Sequence, residues 1–264
     1  MENTWLHASP SRLHAASSKR SPAMQQLRLF TTREGRLPPN MEMDSSNHCF
    51  TAAVFSVSAV SSRARPSAVS SFRQLLICAK AEDDAAEELR QIIEAVNRRN
   101  PDAKTSGEIR PGDTVPVLAN SPSLQPGAYA MHWGYTLPDG KLLFNARSET
   151  AAEKAIFKDG MAQRRCLIPA TCYFEWEHRG KDKIKYAIAP QNSSMIYLAG
   201  IYRKEGHRAS CTILTREPAE SIAFIHNRMP VILPSEAIGD WLNVRYEATD
   251  ILKVAQTDMR YHLA

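Results

Sequence analysis

Apolar positions along the chain recur with two different periods, and the changes of period mark off the elements. Leu89, Ile92, Ile93 and Val96 fall at helical spacing within residues 83–97. Acids come first there and Arg98 and Arg99 last, which suits the helix dipole, so an amphipathic helix is predicted. Pro101 and Asp102 break it. Pro111-Gly112-Asp113 marks a turn before a short strand at 115–118. Residues 129–135 read as a strand entering a loop at Trp133-Gly134, and 142–145 as another strand after the turn Pro138-Asp139-Gly140. Thr150 and Glu153 have capping-box spacing, which predicts a helix over 151–157. Further strands are expected at 185–189, 195–202, 211–215 and 231–233, and short helices at 217–224, 235–242 and 250–254. Residues 226–230 read as a loop. There is no internal repeat. The pattern gives an α+β class: mostly antiparallel strands with helices interspersed, in one domain over residues 81–264.

One stretch stands apart. Residues 164–176, RRCLIPATCYFEW, open with two arginines and close on Glu175 between Phe174 and Trp176. In the second half Cys172, Phe174 and Trp176 alternate with Tyr173 and Glu175, as on a strand with two faces. Desolvation by aromatic neighbours raises a carboxylate's pKa and suits it to proton transfer near neutral pH. An ion pair on a sheet face would explain the same residue without catalysis.

Residues 1–80 differ in composition. They are rich in Ser, Arg and Ala, lack sustained periodicity, and hold ten Lys or Arg against four Asp or Glu. The remainder holds 23 against 24, so the segment carries +6 and the rest −1. Three readings fit the segment: disorder, an organelle transit peptide, and a wrong start that translates DNA normally outside the protein. The third is preferred, for a reason given below. Because residues 81–264 are not basic overall, nucleic-acid binding would have to come from a local patch. No apolar run reaches the roughly 18 residues of a membrane span. The cysteines, Cys49, Cys78, Cys166, Cys172 and Cys211, are odd in number and form no CxxC pair, which points away from a disulfide framework or zinc site and toward a reducing compartment. Cys166, Cys172 and His178 fit no standard ligand spacing, so neither a metal nor a cofactor is expected.

Three polar clusters carry the candidate chemistry. Asn145-Ala146-Arg147 leaves a strand just before a helix. Glu175 sits in its aromatic setting. His226-Asn227-Arg228-Met229-Pro230 is a loop with an imidazole and a cation. Asn offers donor and acceptor, Arg binds phosphate with two bonds, and Glu with His makes an acid–base pair. Each cluster alone has a plain structural explanation. A surface His, an Asn cap, an Arg ion pair and a core Trp133 would each do.

Their order is more specific. WG…NARSET…RRCLIPA…YFEW…LAGIY…TILT…IHNRMPVIL, spanning roughly residues 81–242, resembles the SOS response-associated peptidase (SRAP) family of abasic-site processing proteins. The resemblance implies a single compact α+β domain with a twisted β-sheet core and flanking helices, which binds single-stranded DNA and forms a covalent DNA–protein crosslink at abasic sites, in the response to DNA damage. It further implies a monomer in the cytoplasm, associated with the nucleoid when on DNA, and a peptidase activity that trims its own N-terminus. In the family, a cysteine exposed by removal of the initiator Met condenses with the lesion's aldehyde to a thiazolidine. Asn145 matches the residue that orients cysteine and sugar, Glu175 the carboxylate that assists proton transfer, and His226 the acid–base imidazole. Arg147 and Arg228 match DNA-backbone contacts, and Trp133 and Trp176 match groove-lining positions.

The sequence departs from the family at the nucleophile. Met1 is followed by Glu2, no Cys-Gly-Arg occurs, and the nearest cysteine, Cys78, is internal and has no free α-amine. The resemblance and the ordinary composition stop together at Lys80–Ala81, which favours a shifted reading frame or wrong start over scattered decay. The expectation is that DNA just upstream of the Ala81 codon encodes Met-Cys-Gly-Arg in another frame. Two alternatives stand beside an active enzyme. One is a catalytically silent single-strand DNA binder. The other is a cysteine hydrolase using Cys166 or Cys211 with His226, disfavoured because both cysteines sit in apolar runs.

Overall fold

The computed structural model describes residues 74–77, 84–101, 103–191 and 193–264. Five strands close into a barrel. β3 (Thr114–Asn120) runs antiparallel to β4 (Pro126–Trp133) and to β8 (Arg165–Ala170), with Val117 opposite Tyr129 and Leu118 opposite Leu167. β8 pairs with β11 (Ile196–Glu205), and β11 with β12 (Arg208–Arg216), both antiparallel. β12 then returns to β4 in parallel, Cys211 opposite Trp133, and shuts the ring. A second sheet of five strands lies beside it. Its order is β15 (Met259–Leu263), β10 (Asp182–Pro190), β9 (Cys172–Arg179), β1 (Gln74–Ile77) and β2 (Gly107–Ile109), and its pairings are antiparallel.

The two layers are joined through the stretch that stands out in the sequence. RRCLIPA forms β8 of the barrel and TCYFEW continues into β9 of the second sheet, with Thr171 alone between them. Every residue of β8 is buried, so the strand shows no alternation, as expected of a strand covered on both faces. Inside the barrel Gly200 is required by space. A Cβ there would lie 3.0 Å from the Thr212 carbonyl and 2.7 Å from Ile168. Gly134, at φ +125°, turns the chain from β4 into the small hairpin of β5 (Tyr135–Thr136) and β6 (Leu142–Leu143).

Helices are few and short apart from α1 (Asp84–Asn97), which buries Leu89, Ile92 and Val96. β7 (Asn145–Arg147) leads into α2 (Ser148–Ala151), and α3 (Lys158–Gln163) precedes β8. β13 (Met229–Pro230) and β14 (Ile232–Leu233) extend the barrel sheet. α4 (Ile238–Leu242) and α5 (Ala248–Leu252) close the chain before β15. Among the described residues no helix is long and apolar enough to cross a membrane.

The expected α+β class holds, with strands predominating and a barrel rather than one twisted sheet. Several expectations need correction. The fold begins before residue 81: Gln74–Ile77 fills the gap between β9 and β2, its partners lying far along the chain where local pattern cannot show them. Thr150 does not cap a helix at 151. The helix starts at Ser148, its N-cap position is Arg147 without a side-chain bond, and α3 follows separately. Residues 217–224 make only a single 3-10 turn, Glu220–Ile222. Residues 1–73, with Cys49, and also Cys78, lie outside the described residues.

Candidate active site

Asn145 is placed by a strand pairing. β7 lies parallel to β12, just beyond the point where β4 leaves it, with Asn145 opposite Ile213 and Arg147 opposite Thr215. The indole N–H of Trp133 donates to the Phe144 carbonyl at 2.8 Å, fixing the backbone one residue ahead of Asn145. Trp133 is fully buried, so the expectation that it lines a groove is corrected. Its ring is core, packed edge-on against Phe144, and it acts by holding β7. Asn145 is half-buried and Arg147 exposed.

Glu175 comes from β9. It is only 2% exposed, and its neighbour across the β9–β10 pairing is Tyr186. β1 runs antiparallel to β9 with Gln74 opposite Phe174, so the chain enters β1 at the end nearer Glu175. Ile77, next to Cys78, lies at the other end. Trp176 takes the opposite face of β9, half-buried, with the Lys185 ammonium 5.7 Å from its ring. Lys185 also lies 3.9 Å from the Phe174 ring and pairs with Glu108. As strand alternation expects, Trp176 and Glu175 look to opposite sides of the sheet.

His226 reaches Glu175 from the turn before β13. Its Nδ1 lies 3.6 Å from the Glu175 Oε1, apposed but beyond hydrogen-bond length. The Arg228 backbone N–H donates to Nδ1 at 3.1 Å, which assigns the proton of the neutral ring to Nε2. The Arg228 carbonyl, 3.2 Å from the same nitrogen, would accept a hydrogen bond from a proton added there. Burial holds the His226 pKa below the ordinary imidazole value; the hydrogen bond with the Arg228 backbone opposes this in part, and the Arg228 guanidinium adds to the lowering. The ring is therefore neutral at neutral pH and able to accept a proton. Beneath the site, burial and the Glu175 carboxyl push the Tyr173 hydroxyl well up.

Arg228 is already engaged. Its guanidinium donates to both carboxylate oxygens of Glu149, at 2.7 and 2.8 Å, and to the Thr215 carbonyl at 2.6 Å. Thr215 faces Arg147 across the β12–β7 pairing, so this fork ties the NARSET segment to the His226 turn. Glu149 is the residue that motif reasoning missed. The signal was an acid in the same short motif as Asn145 and Arg147.

The described cysteines offer no accessible thiolate. Cys166, Cys172 and Cys211 are buried, and burial pushes the Cys166 and Cys211 thiols well above their usual range. The cysteine-hydrolase alternative loses its nucleophile on that ground. Among the described residues, no three His, Cys, Asp or Glu side chains converge as a metal site.

Residues 76–263 match the family described as SOS response associated peptidase (SRAP). Among curated proteins, the chain is similar to the Bacillus subtilis abasic site processing protein YobE, 38% identical over 135 residues, covering 47% of this chain and 62% of that one. It is 29% identical over 195 residues to the abasic site processing protein HMCES of Gallus gallus, covering 55% of this chain and 58% of that one. The matched part thus spans about three-fifths of the length of these relatives. Crystal structures of a Bacteroides thetaiotaomicron protein (TM-score 0.57, 23% identity, 72% of this chain and 90% of that one) and a Bordetella bronchiseptica protein (TM-score 0.57, 21% identity, 73% and 99%) share the fold. The chain belongs to the SOS response associated peptidase family.

Proposed function

We propose that this protein processes abasic sites in single-stranded DNA, with Glu175 and His226 as its acid–base pair. The observation that carries the proposal is their apposition at 3.6 Å, a 2% exposed carboxylate facing an imidazole kept neutral, in a chain whose relatives are named for abasic-site processing. The lesion's deoxyribose exists mainly as a closed hemiacetal. Opening it requires removal of the C1′ hydroxyl proton and delivery of a proton to the ring oxygen. One member of the Glu175–His226 pair takes up the first proton and the other delivers the second, and the products are an aldehyde and a free C4′ hydroxyl. Asn145 supplies a donor and acceptor to orient the sugar, and exposed Arg147 a charge for the adjacent phosphate.

The aldehyde is then open to capture. An α-amine with a thiol beside it gives a thiazolidine. An amine alone, from a lysine or Met1, gives a Schiff base with loss of water. A second reading, a silent single-strand binder, is favoured by the buried state of the three described cysteines.

The test is the full chain incubated with an abasic single strand and with the same strand intact, followed by denaturing gels with and without borohydride. Lesion-dependent adduct or strand scission supports processing. Tight binding without any lesion-dependent chemistry selects the binder. Equal, weak affinity for both strands and for duplex sinks the DNA assignment.

A further inference from the structure

Three aromatic rings from three separate segments meet beside the acid–base pair. They are Tyr186 of β10, Phe224 just before the His226 turn, and Tyr261 of β15. Ring centroids lie 5.9 Å apart for Tyr186 and Phe224, 5.7 Å for Tyr186 and Tyr261, and 5.2 Å for Phe224 and Tyr261, each pair edge-to-face. Tyr186 is the cross-strand neighbour of Glu175, a relationship that holds Cβ atoms about 4.5–5.5 Å apart. Its hydroxyl donates to Glu177 at 2.9 Å, and Glu177 in turn pairs with Arg179, so the ring is fixed. Phe224 precedes His226 by two residues. The cluster thus adjoins both members of the pair.

Its outer members are open to water. Phe224 is 47% exposed and Tyr261 45%, and Leu263, on the same face of β15, is 69% exposed. Exposed aromatic rings in mutual contact beside buried polar groups mark a candidate binding surface. The sugar chemistry above makes no use of these rings.

We propose that Phe224 and Tyr261, backed by Tyr186, form a stacking platform for an unpaired nucleobase that flanks the abasic position. The proposal rests on the reading of Glu175 and His226 as the sugar site. An abasic sugar brings no base of its own, but the next nucleotide on the strand does. With the sugar at Glu175, that base falls where the rings begin. In a single strand it has an unpaired π-face, the one feature all bases share, and aromatic side chains bind it without regard to sequence. Tyr186 lies opposite Glu175 and Phe224 two residues before His226, an adjacency to both members of the pair that favours the same strand as occupant over a second copy of the chain.

The test uses the full chain and single strands carrying a tetrahydrofuran abasic analogue, which has no aldehyde and so reports binding alone. The base on one or the other side of the analogue is removed in turn. For the unaltered protein, loss of the base on one side should weaken binding roughly 5- to 150-fold. Phe224→Leu with Tyr261→Leu keeps apolar volume without a π-face and should lose that dependence. Phe224→Tyr with Tyr261→Phe should keep it, and because these rings are half exposed both pairs should melt near the parent temperature. Equal affinity of the unaltered protein for flanked and unflanked strands overturns the platform while leaving the sugar site standing. Failure to bind any abasic strand overturns both. Self-association abolished by the Leu pair, with no flank dependence, assigns the surface to a second copy and overturns the proposal.

Discussion

Arg228 grips the carboxylate of Glu149 with two bonds of 2.7 and 2.8 Å, joining the turn that carries His226 to the motif that carries Asn145. Burial is the largest single influence and pushes the Glu149 carboxyl up, but the hydrogen bonds from Arg228 and the Glu149 backbone, together with the charges of Arg228 and Arg147, outweigh it and the net shift is downward. The fork also occupies the cation that the resemblance assigns to the DNA backbone. Arg228 is therefore better explained as a positioning residue. Arg228→Lys keeps the charge and loses the planar fork. It should lower stability by about 1 kcal/mol, or roughly 2–4 °C in melting temperature for a domain of this size. It should also slow lesion chemistry while leaving the salt dependence of DNA binding unchanged. A reduced salt slope in Arg228→Lys would return Arg228 to the DNA contact.

Arg147 is the exposed arginine of the site. Each phosphate contact contributes about one unit to the slope of log affinity against log salt. Arg147→Ala should reduce that slope by about one and weaken intact and abasic strands alike. Titrations at several salt concentrations check it, and an unchanged slope places the phosphate elsewhere.

Glu175→Gln preserves shape and removes the titrating proton. Loss of a general acid or base costs roughly 10²–10⁴ in rate. The variant should process abasic strands that much more slowly and bind intact strands as before. The purely structural alternative predicts a lower melting temperature instead. A folded Glu175→Gln protein with unchanged lesion kinetics would remove the carboxyl from the chemistry.

Two half-buried imidazoles set a pH dependence. Burial lowers the pKa of both His226 and His132, and nearby arginines, Arg228 and Arg208, act the same way. The folded protein therefore binds fewer protons than the unfolded chain below the ordinary imidazole value of 6.5. The stability associated with the neutral rings is fully present above 6.5 and is lost as pH falls below it toward the folded values. Melting temperature should drop on acidification from about pH 7.5 to about pH 5.5, and His132→Asn should flatten part of that drop. Lesion chemistry should keep its base below pH 6.5, because His226 titrates lower than a free imidazole. A profile that falls off above 6.5 would point to a different base.

Much of this was legible in the residues because it is local. The spacing of Leu89, Ile92 and Val96 locates α1 to within a residue, and alternation from Cys172 to Trp176 separates Glu175 from its aromatic neighbours. The motif order brings forward the three clusters that the fold connects. What escaped is non-local. β8 is buried on both faces and so has no period to read. Gln74–Ile77 looks like an isolated apolar scrap until β9 and β2 are placed on either side of it. Trp133 reads equally as groove or core, and only its bond to the Phe144 carbonyl decides. The engagement of Arg228 depends on a partner in a different motif, which spacing alone does not pair.

The double use of β12 has a consequence for synthesis. β4 and β7 both dock on it in parallel, and both are made long before it. While the ribosome is still upstream of Arg208, the Asn145 strand has no bed to lie on, and its groups stay solvated by water. Contacts between distant segments form late, since the chain between them must first be closed. Of the candidate site, the last pieces to arrive are the turn with His226 and the Arg228 fork. A half-translated chain consequently displays the polar motifs without their mutual arrangement, and the candidate site is assembled only once the ring of strands has shut and the His226 turn has docked.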